Sequence, residues 1–156
     1  MNITIRQATI KDFKTIQTLN AALFESDSTN DDALDLSWPH SLRGVEYYRE
    51  ALHSPEKITL LAEDNDYRPL GYLIGSARNK FGYRTVKTGE LENMYVVPAM
   101  RRQGIGRALI LKLLVWLKNH KVDRLYVSTY VKNSGGVDFY QNIGFKDFER
   151  GLELSL

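Results

Sequence analysis

Val97-Pro98-Ala99-Met100-Arg101-Arg102-Gln103-Gly104-Ile105-Gly106-Arg107 joins an extended segment to the most strongly patterned helix of the chain. Downstream, Leu109, Ile110, Leu113, Leu114 and Leu117 recur at helical spacing, which predicts a helix over Ile105 to Lys121 with one apolar face. Upstream, Thr88 to Val97 reads as a strand. The first amides of a helix have no intrahelical partner, and Gly104 and Gly106 leave them unobstructed, so this turn can receive phosphate oxygens. Arg101, Arg102 and Arg107 oppose the helix dipole, at about 0.3 to 1 kcal/mol each, unless an anion reverses the penalty. Between Glu92 and Asp123 there is no acid, while Arg101, Arg102, Arg107, Lys112, Lys118 and Lys121 are basic. The local field therefore favours a multiply charged phosphate ligand. A plain glycine turn with three solvated arginines would satisfy the same residues. Leu109 stands where a dinucleotide-binding fingerprint needs its third glycine, and the chain has no Walker lysine motif, so neither of those sites is favoured.

The flanking segments extend the pattern. Arg124 to Val131 alternates as a strand, Gly135 to Asn142 reads as a short helix stopped by Ile143-Gly144, and Phe145 to Arg150 and Leu152 to Leu156 read as two closing strands. On the other side, residues 1 to 7 alternate like an edge strand. Thr9 with Asp12 forms a capping signal for a helix carrying Phe13, Ile16, Leu19, Ala22 and Leu23, which runs to about Glu25. Ser26 to Pro39 has loop composition and Leu42 to Leu52 is helical. Lys57 to Glu63 and Leu70 to Asn79 are strands joined by the turn-forming Asp64-Asn-Asp-Tyr-Arg-Pro. Helices inserted between strands in this order argue a mixed three-layer α/β domain spanning residues 1–156, without repeats or linkers.

Composition narrows the function. With 156 residues and a 43% hydrophobic fraction, the chain has the length and apolar content for one sizeable core. The net charge of +2 is too small to imply a polyanionic partner, which weighs against nucleic acid, and no stacking platform is recognisable. No cysteine is present, so disulfides and thiolate chemistry are excluded. Residues 1–7 lack the apolar run of a signal peptide, and the longest apolar stretch, Ala108 to Leu117, is too short to span a bilayer. These features suit a soluble cytoplasmic protein with no membrane attachment. His40, His53 and His120 lack ligand spacing, so no metal is expected.

Three separated features together resemble the GNAT superfamily of acyl-coenzyme A dependent N-acetyltransferases. They are strand Leu91-Glu-Asn-Met-Tyr-Val-Val-Pro98, the Arg101-x-x-Gly104-x-Gly106 turn, and Asn133 followed by Phe139-Tyr140-Gln-Asn-Ile-Gly144-Phe145. The resemblance covers nearly the whole chain. It implies a single-domain three-layer α/β fold in which a mixed, mostly antiparallel sheet has splayed central strands and flanking helices. It further implies acetyl-CoA as co-substrate. Met94, Tyr95 and Val96 would line the pantetheine arm. Arg101, Arg102, Gln103, Gly104, Ile105, Gly106 and Arg107 would hold the pyrophosphate, chiefly through amides, and Asn133 would contact the coenzyme from the opposite strand.

Acetylating an amine sets two electrostatic problems. A lysine-like amine with pKa about 10.4 is protonated at neutral pH, and exposing its lone pair costs about 4 to 5 kcal/mol. Glu90 and Glu92 lie two residues apart on the candidate strand, and either could accept that proton; Glu92 directly precedes the acyl-binding residues and resembles the glutamate of polyamine-type family members. Both also fit the role of solvent-facing strand acids. The departing thiolate needs a donor, and Tyr140 occupies the family's tyrosine position; its other reading is a core tyrosine.

The acceptor is read from the loop after the first helix. No Lys or Arg lies between Lys14 and Arg43, whereas Glu25, Asp27, Asp31, Asp32 and Asp35 are acidic. Asp27, Asp31, Asp32 and Asp35, with Trp38 as an aromatic wall, are the candidate acceptor-binding residues for a cationic amine such as a polyamine. A solvated acidic loop is the other reading. A lysine or N-terminal amine on a protein or peptide is the alternative acceptor, and a non-catalytic acyl-CoA sensor is the alternative function. The exposed closing strands offer a surface for a homodimer.

Overall fold

The computed structural model describes residues 2–156. Its strands are β1 (Thr4–Gln7), β2 (Lys57–Glu63), β3 (Pro69–Ser76), β4 (Thr88–Val96) and β5 (Arg124–Val127). Its helices are α1 (Phe13–Asp27), α2 (Leu42–His53), α3 (Ile105–Asn119) and α4 (Ser134–Ile143). The sheet order is β1-β2-β3-β4-β5, antiparallel from β1 to β4 and parallel between β4 and β5. This is the expected mixed, mostly antiparallel α/β arrangement.

Alternation along the central strands builds two cores. Ile58, Leu60 and Ala62 of β2 and Leu73 of β3 face α3, where Leu109, Ile110, Leu113 and Leu117 are buried. Leu61, Tyr72 and Ile74 point the other way, onto Ile16 and Leu19 of α1 and Tyr48 and Ala51 of α2. Covered on both faces, β2 is buried along its whole length. Arg6 of β1 ties the sheet edge to the start of α1 by gripping Asp12 at 2.8 Å and Glu63 of β2 at 2.7 Å. That guanidinium holds the Asp12 carboxyl down at about 2. Asp12 also accepts the Thr9 amide at 2.8 Å, so the capping signal is real, although it opens a 3-10 turn over Ile10–Asp12 ahead of α1.

The C-terminal readings need correction. β5 stops at Val127 instead of Val131, because the chain from Ser128 onward turns away from β4 and borders a cleft. No strand forms over Phe145 to Arg150 or Leu152 to Leu156. Phe148 does pack against Phe81, with ring centres 5.5 Å apart, and Tyr126 donates to Glu149 at 2.6 Å. Beyond them, Leu152 and Leu154 are 94% and 82% exposed. Alternation alone cannot make a strand without a paired edge and a face to bury.

Candidate active site

Pairing between β4 and β5 runs only from Thr88↔Arg124 to Leu91↔Val127. β4 continues to Val96 and leaves one edge of residues 92–96 without a neighbouring strand. The gap is a cleft of about 880 Å³. Met94, Tyr95 and Val96 form one wall, Ser128, Thr129 and Tyr130 the other, and Phe139 and Tyr140 of α4 close one end. The α3 N-terminus and the end of α1, through Leu23, Ser26 and Asp27, form the remaining boundary. Unpaired strand groups beside uncapped helix amides match what a pantetheine arm and its diphosphate require.

At the α3 N-terminus, Gly104 adopts φ +83 and provides no side-chain cap. A residue with a side chain would be strained in this left-handed conformation, so the glycine is a backbone requirement. Gly106 packs closely, since a Cβ there would lie 3.0 Å from the Phe139 ring, which would have to give by a few tenths of an ångström. Both glycines border the cleft, as do Arg101, Arg102, Ile105 and Arg107. Gln103 turns back toward the Ala99 carbonyl at 3.4 Å and does not border it. Arg101 donates from Nε to the Val96 carbonyl at 3.0 Å, which pins the turn to the end of β4. Asn133 caps α4 by accepting the Gly136 amide at 3.0 Å, and it borders the cleft as well.

β4 carries a bulge where its register with β3 shifts: Gly75 faces Leu91 and Ile74 faces Asn93, leaving Glu92 as the extra residue. Leu91 and Met94 both pack toward α3. Glu92 and Asn93, though consecutive, both reach Tyr47 of α2 on the opposite face. Tyr47 donates to Glu92 Oε2 at 2.7 Å, and Lys57 Nζ donates to the same oxygen at 3.0 Å. Behind them, Asn93 Oδ1 accepts from Asn20 at 3.1 Å, Asn20 donates to the Tyr72 hydroxyl at 2.6 Å, and Tyr48 donates to Asn20. This buried polar line fixes the bulge against the helices. Burial and the Glu92 charge raise the Tyr47 phenol well above its ordinary value, so Tyr47 remains a hydrogen-bond donor.

A second recess, of about 390 Å³, lies on the α2 side and is walled by Phe24, Trp38, Tyr47, Lys57, Glu90, Glu92 and Asn93. Phe24 and Trp38 stack at 5.5 Å with planes 5° apart. Glu92 and Asn93 border both cavities, so the bulge is a wall that the recess and the cleft share. Glu90 also borders the recess and is paired with Lys80 at 2.9 Å.

The remaining candidates are dispersed. Tyr140 borders the cleft, and burial together with the charge of Asp27 pushes its phenol up to about 12. Asp27, the last residue of α1, borders the cleft too; its carboxyl is raised by desolvation and has no side-chain partner among the described residues. Asp31 accepts from Tyr130 at 3.2 Å. Asp35 is engaged by the Ser37 amide and hydroxyl, and neither it nor Asp32 borders the cleft or the recess. Among the described residues, no group of three or more His, Asp or Glu side chains could hold a metal ion, and no helix is long and apolar enough to cross a membrane. Sequence reasoning missed Lys57, Asn93 and Asn20. The position of Lys57 at the head of a strand gave no sign that its ammonium turns inward.

Comparison with known proteins agrees with this geometry. The model of the acetyltransferase (GNAT) family matches residues 21–145. The chain is 30% identical over 116 residues to an aminoglycoside N(6')-acetyltransferase type 1 of Acinetobacter haemolyticus, covering 68% of this chain and 80% of that one. It is 30% identical over 116 residues to N-alpha-acetyltransferase 30 of Schizosaccharomyces pombe, covering 74% and 73%. The fold matches the structure of AAC(6')-Iy in complex with the bisubstrate analog CoA-S-monomethyl-acetylneamine at TM-score 0.80 and 20% identity, over 100% of this chain and 99% of that one. A cleft opened by diverging strands and floored by glycine-freed helix amides, in a chain matched by the family model over residues 21–145, thus places this protein in the acetyltransferase (GNAT) family as an acetyl-CoA-dependent N-acetyltransferase.

Proposed function

We propose that the protein moves an acetyl group directly to the primary amine of a small cationic acceptor seated in the recess between Trp38 and Glu92. The observation that carries this reading is that Glu92 and Asn93 line both the recess and the cleft. An amine held there would meet an acyl group delivered along β4. Acetyl-CoA supplies an activated carbonyl and a thiolate leaving group.

The chain's own groups do the rest. Met94, Tyr95 and Val96 offer strand amides and carbonyls to the pantetheine, and an amide near Met94 or Tyr95 stabilises the charge that builds on the carbonyl oxygen. Gly104 to Arg107, with Arg101 and Arg102, neutralise the diphosphate, and the side-chain amide of Asn133 donates across the cleft. Glu92 takes the ammonium proton on Oε1, the oxygen not engaged by Tyr47 or Lys57. Glu90, paired with Lys80, adds a carboxylate to the recess wall, and Asp27 adds one to the cleft. As the N–C bond forms and the C–S bond breaks, Tyr140 protonates the departing sulfur; with its phenol near 12, it is protonated at every physiological pH.

Similarity to aminoglycoside acetyltransferases supports a small amine acceptor, and the paired carboxylates are equally suited to a polyamine. The similarity to N-alpha-acetyltransferase 30 favours a second reading, in which a peptide N-terminal amine enters the same recess. Thiol release from acetyl-CoA with a panel of monoamines, polyamines, aminoglycosides and short peptides separates the two. Coenzyme binding without release for any member would instead support a non-catalytic acyl-CoA sensor.

A further inference from the structure

The recess contains a cation of its own. Lys57 Nζ lies 3.0 Å from Glu92 Oε2 and 3.5 Å from Glu50 Oε2, with its side chain only 5% exposed. It also stands 4.7 Å from the centre of the Tyr47 ring, the cation–π position. Lys57 is the first residue of β2, on the same face as Thr59, whose hydroxyl bonds the Ala51 carbonyl of α2. The strand's alternation therefore aims the lysine inward at α2. A lysine ammonium is almost never buried unless it is paired, and here both carboxylates and the ring pay that cost.

The charges around the recess can be counted group by group. Glu90 is matched by Lys80 at 2.9 Å. Glu50 is matched by Arg78 at 2.7 Å, and Arg78 also holds Glu56 at 3.0 Å. Glu92 is matched by Lys57. Of the groups that border the recess itself, Glu90 and Glu92 are acidic and Lys57 is basic, a net single negative charge. The acceptor's reacting ammonium completes that balance. A second ammonium inside the recess would meet Lys57 at close range in a partly desolvated space, where like charges repel strongly.

We infer that Lys57 is a specificity-determining residue that limits the recess to an acceptor group bearing a single positive charge. Resting on the proposed acyl transfer to an amine in this recess, the inference adds a rule about the acceptor's charge distribution. One ammonium enters, carried on a body that lies against the flat Phe24 and Trp38 walls. Any further ammonium groups of the same molecule stay outside the recess. Lys57 achieves this by occupying Glu92 Oε2 and leaving only Oε1 for the acceptor.

The test uses n-hexylamine and 1,6-diaminohexane, equal in chain length and differing by one charge. Their binding to the CoA-bound protein is measured by calorimetry, and kcat/KM by thiol release with acetyl-CoA. Lys57→Met and Lys57→Gln should strengthen diamine binding relative to monoamine binding by about tenfold, which corresponds to about 1.4 kcal/mol. Lys57→Arg, which keeps the charge, should hold the ratio within about twofold of the wild type. Melting curves identify any variant that fails to fold, and the second neutral variant then carries the measurement. A purely structural lysine would weaken both amines alike; an unchanged ratio in the folded neutral variants, or no binding of either amine to any of the proteins, overturns the inference. Failure of the proposed reaction is seen separately, as absence of thiol release by the wild type, while the binding ratio still decides the role of Lys57.

Discussion

Replacing Gly104 by alanine separates the helix N-terminus as a structural feature from the same N-terminus as a diphosphate cradle. Gly104 has φ +83, and a Cβ built on it meets no protein atom within 4 Å. The protein therefore loses only the backbone preference, about 1 to 2 kcal/mol for an L residue in the left-handed region. For a chain of this size that corresponds to a fall in Tm of about 2 to 8 °C. The added methyl enters open space at the border of the cleft, where it would crowd the approach of phosphate oxygens to the α3 amides. Calorimetric titration with CoA should show affinity falling by tenfold or more, about 1.4 kcal/mol. Affinity for pantetheine, which lacks the diphosphate, should stay within about twofold. A variant that melts a few degrees lower yet binds CoA as tightly as the wild type would refute the cradle.

Other expectations follow from the same geometry. Tyr140→Phe should lower kcat by about tenfold to a hundredfold, while CoA affinity in calorimetry changes less than about twofold; loss of stability alone would make Tyr140 a core residue. Because the Tyr140 phenol is held near 12, the wild-type rate should show no loss from its ionisation up to about pH 10, which a pH–rate profile checks. Glu92→Gln should slow turnover, most strongly at low pH where the acceptor amine is most protonated, with coenzyme binding retained; equal rates across pH would remove Glu92 from proton transfer. Asp12, held at about 2 by Arg6, contributes stability that is complete above about pH 4 and is lost as pH falls through 2. Denaturant melts from pH 2 to pH 5 should show about 1 to 2 kcal/mol of that loss in the wild type, a figure reduced for the partly exposed Arg6, and little of it in Asp12→Asn.

The parts of the fold written in local signals were legible. The i, i+3, i+4 spacing of Leu109 to Leu117 specified α3, and a glycine at Gly104 marked a turn whose φ requires one. The turn at the α3 N-terminus was readable because its main-chain amides lie at a position that sequence fixes, and the proposed diphosphate cradle depends on them. The acceptor side was not, because it depends on long-range partners. Asn20 sits in α1 among residues of ordinary helical composition, and only the approach of Tyr72 and Asn93 from the sheet buries it. Lys57 is legible in the sequence only as the first residue of a strand, and its inward ammonium depends on α2 packing over it. The acidic loop suggested a cluster, yet Asp35 is spent on Ser37 and Asp31 on Tyr130, which leaves Asp27 facing the cleft. The closing strands failed for the converse reason: Leu152, Leu154 and Leu156 alternate correctly but have no face in this chain to cover.

The extra residue at Glu92 has a consequence for how β4 tolerates change. Upstream of it, odd-numbered Leu91 faces α3; downstream, even-numbered Met94 and Val96 do. The strand is thus written in two reading frames spliced at one position. Deleting Asn93 would restore ordinary pleating and leave Leu91, Met94 and Val96 on the α3 side, so what it would remove is the side-by-side pair that Glu92 and Asn93 present to Tyr47. A point substitution at the splice edits one side chain, whereas loss of a single residue there would remove the splice itself and with it the polar line from Asn93 to Asn20.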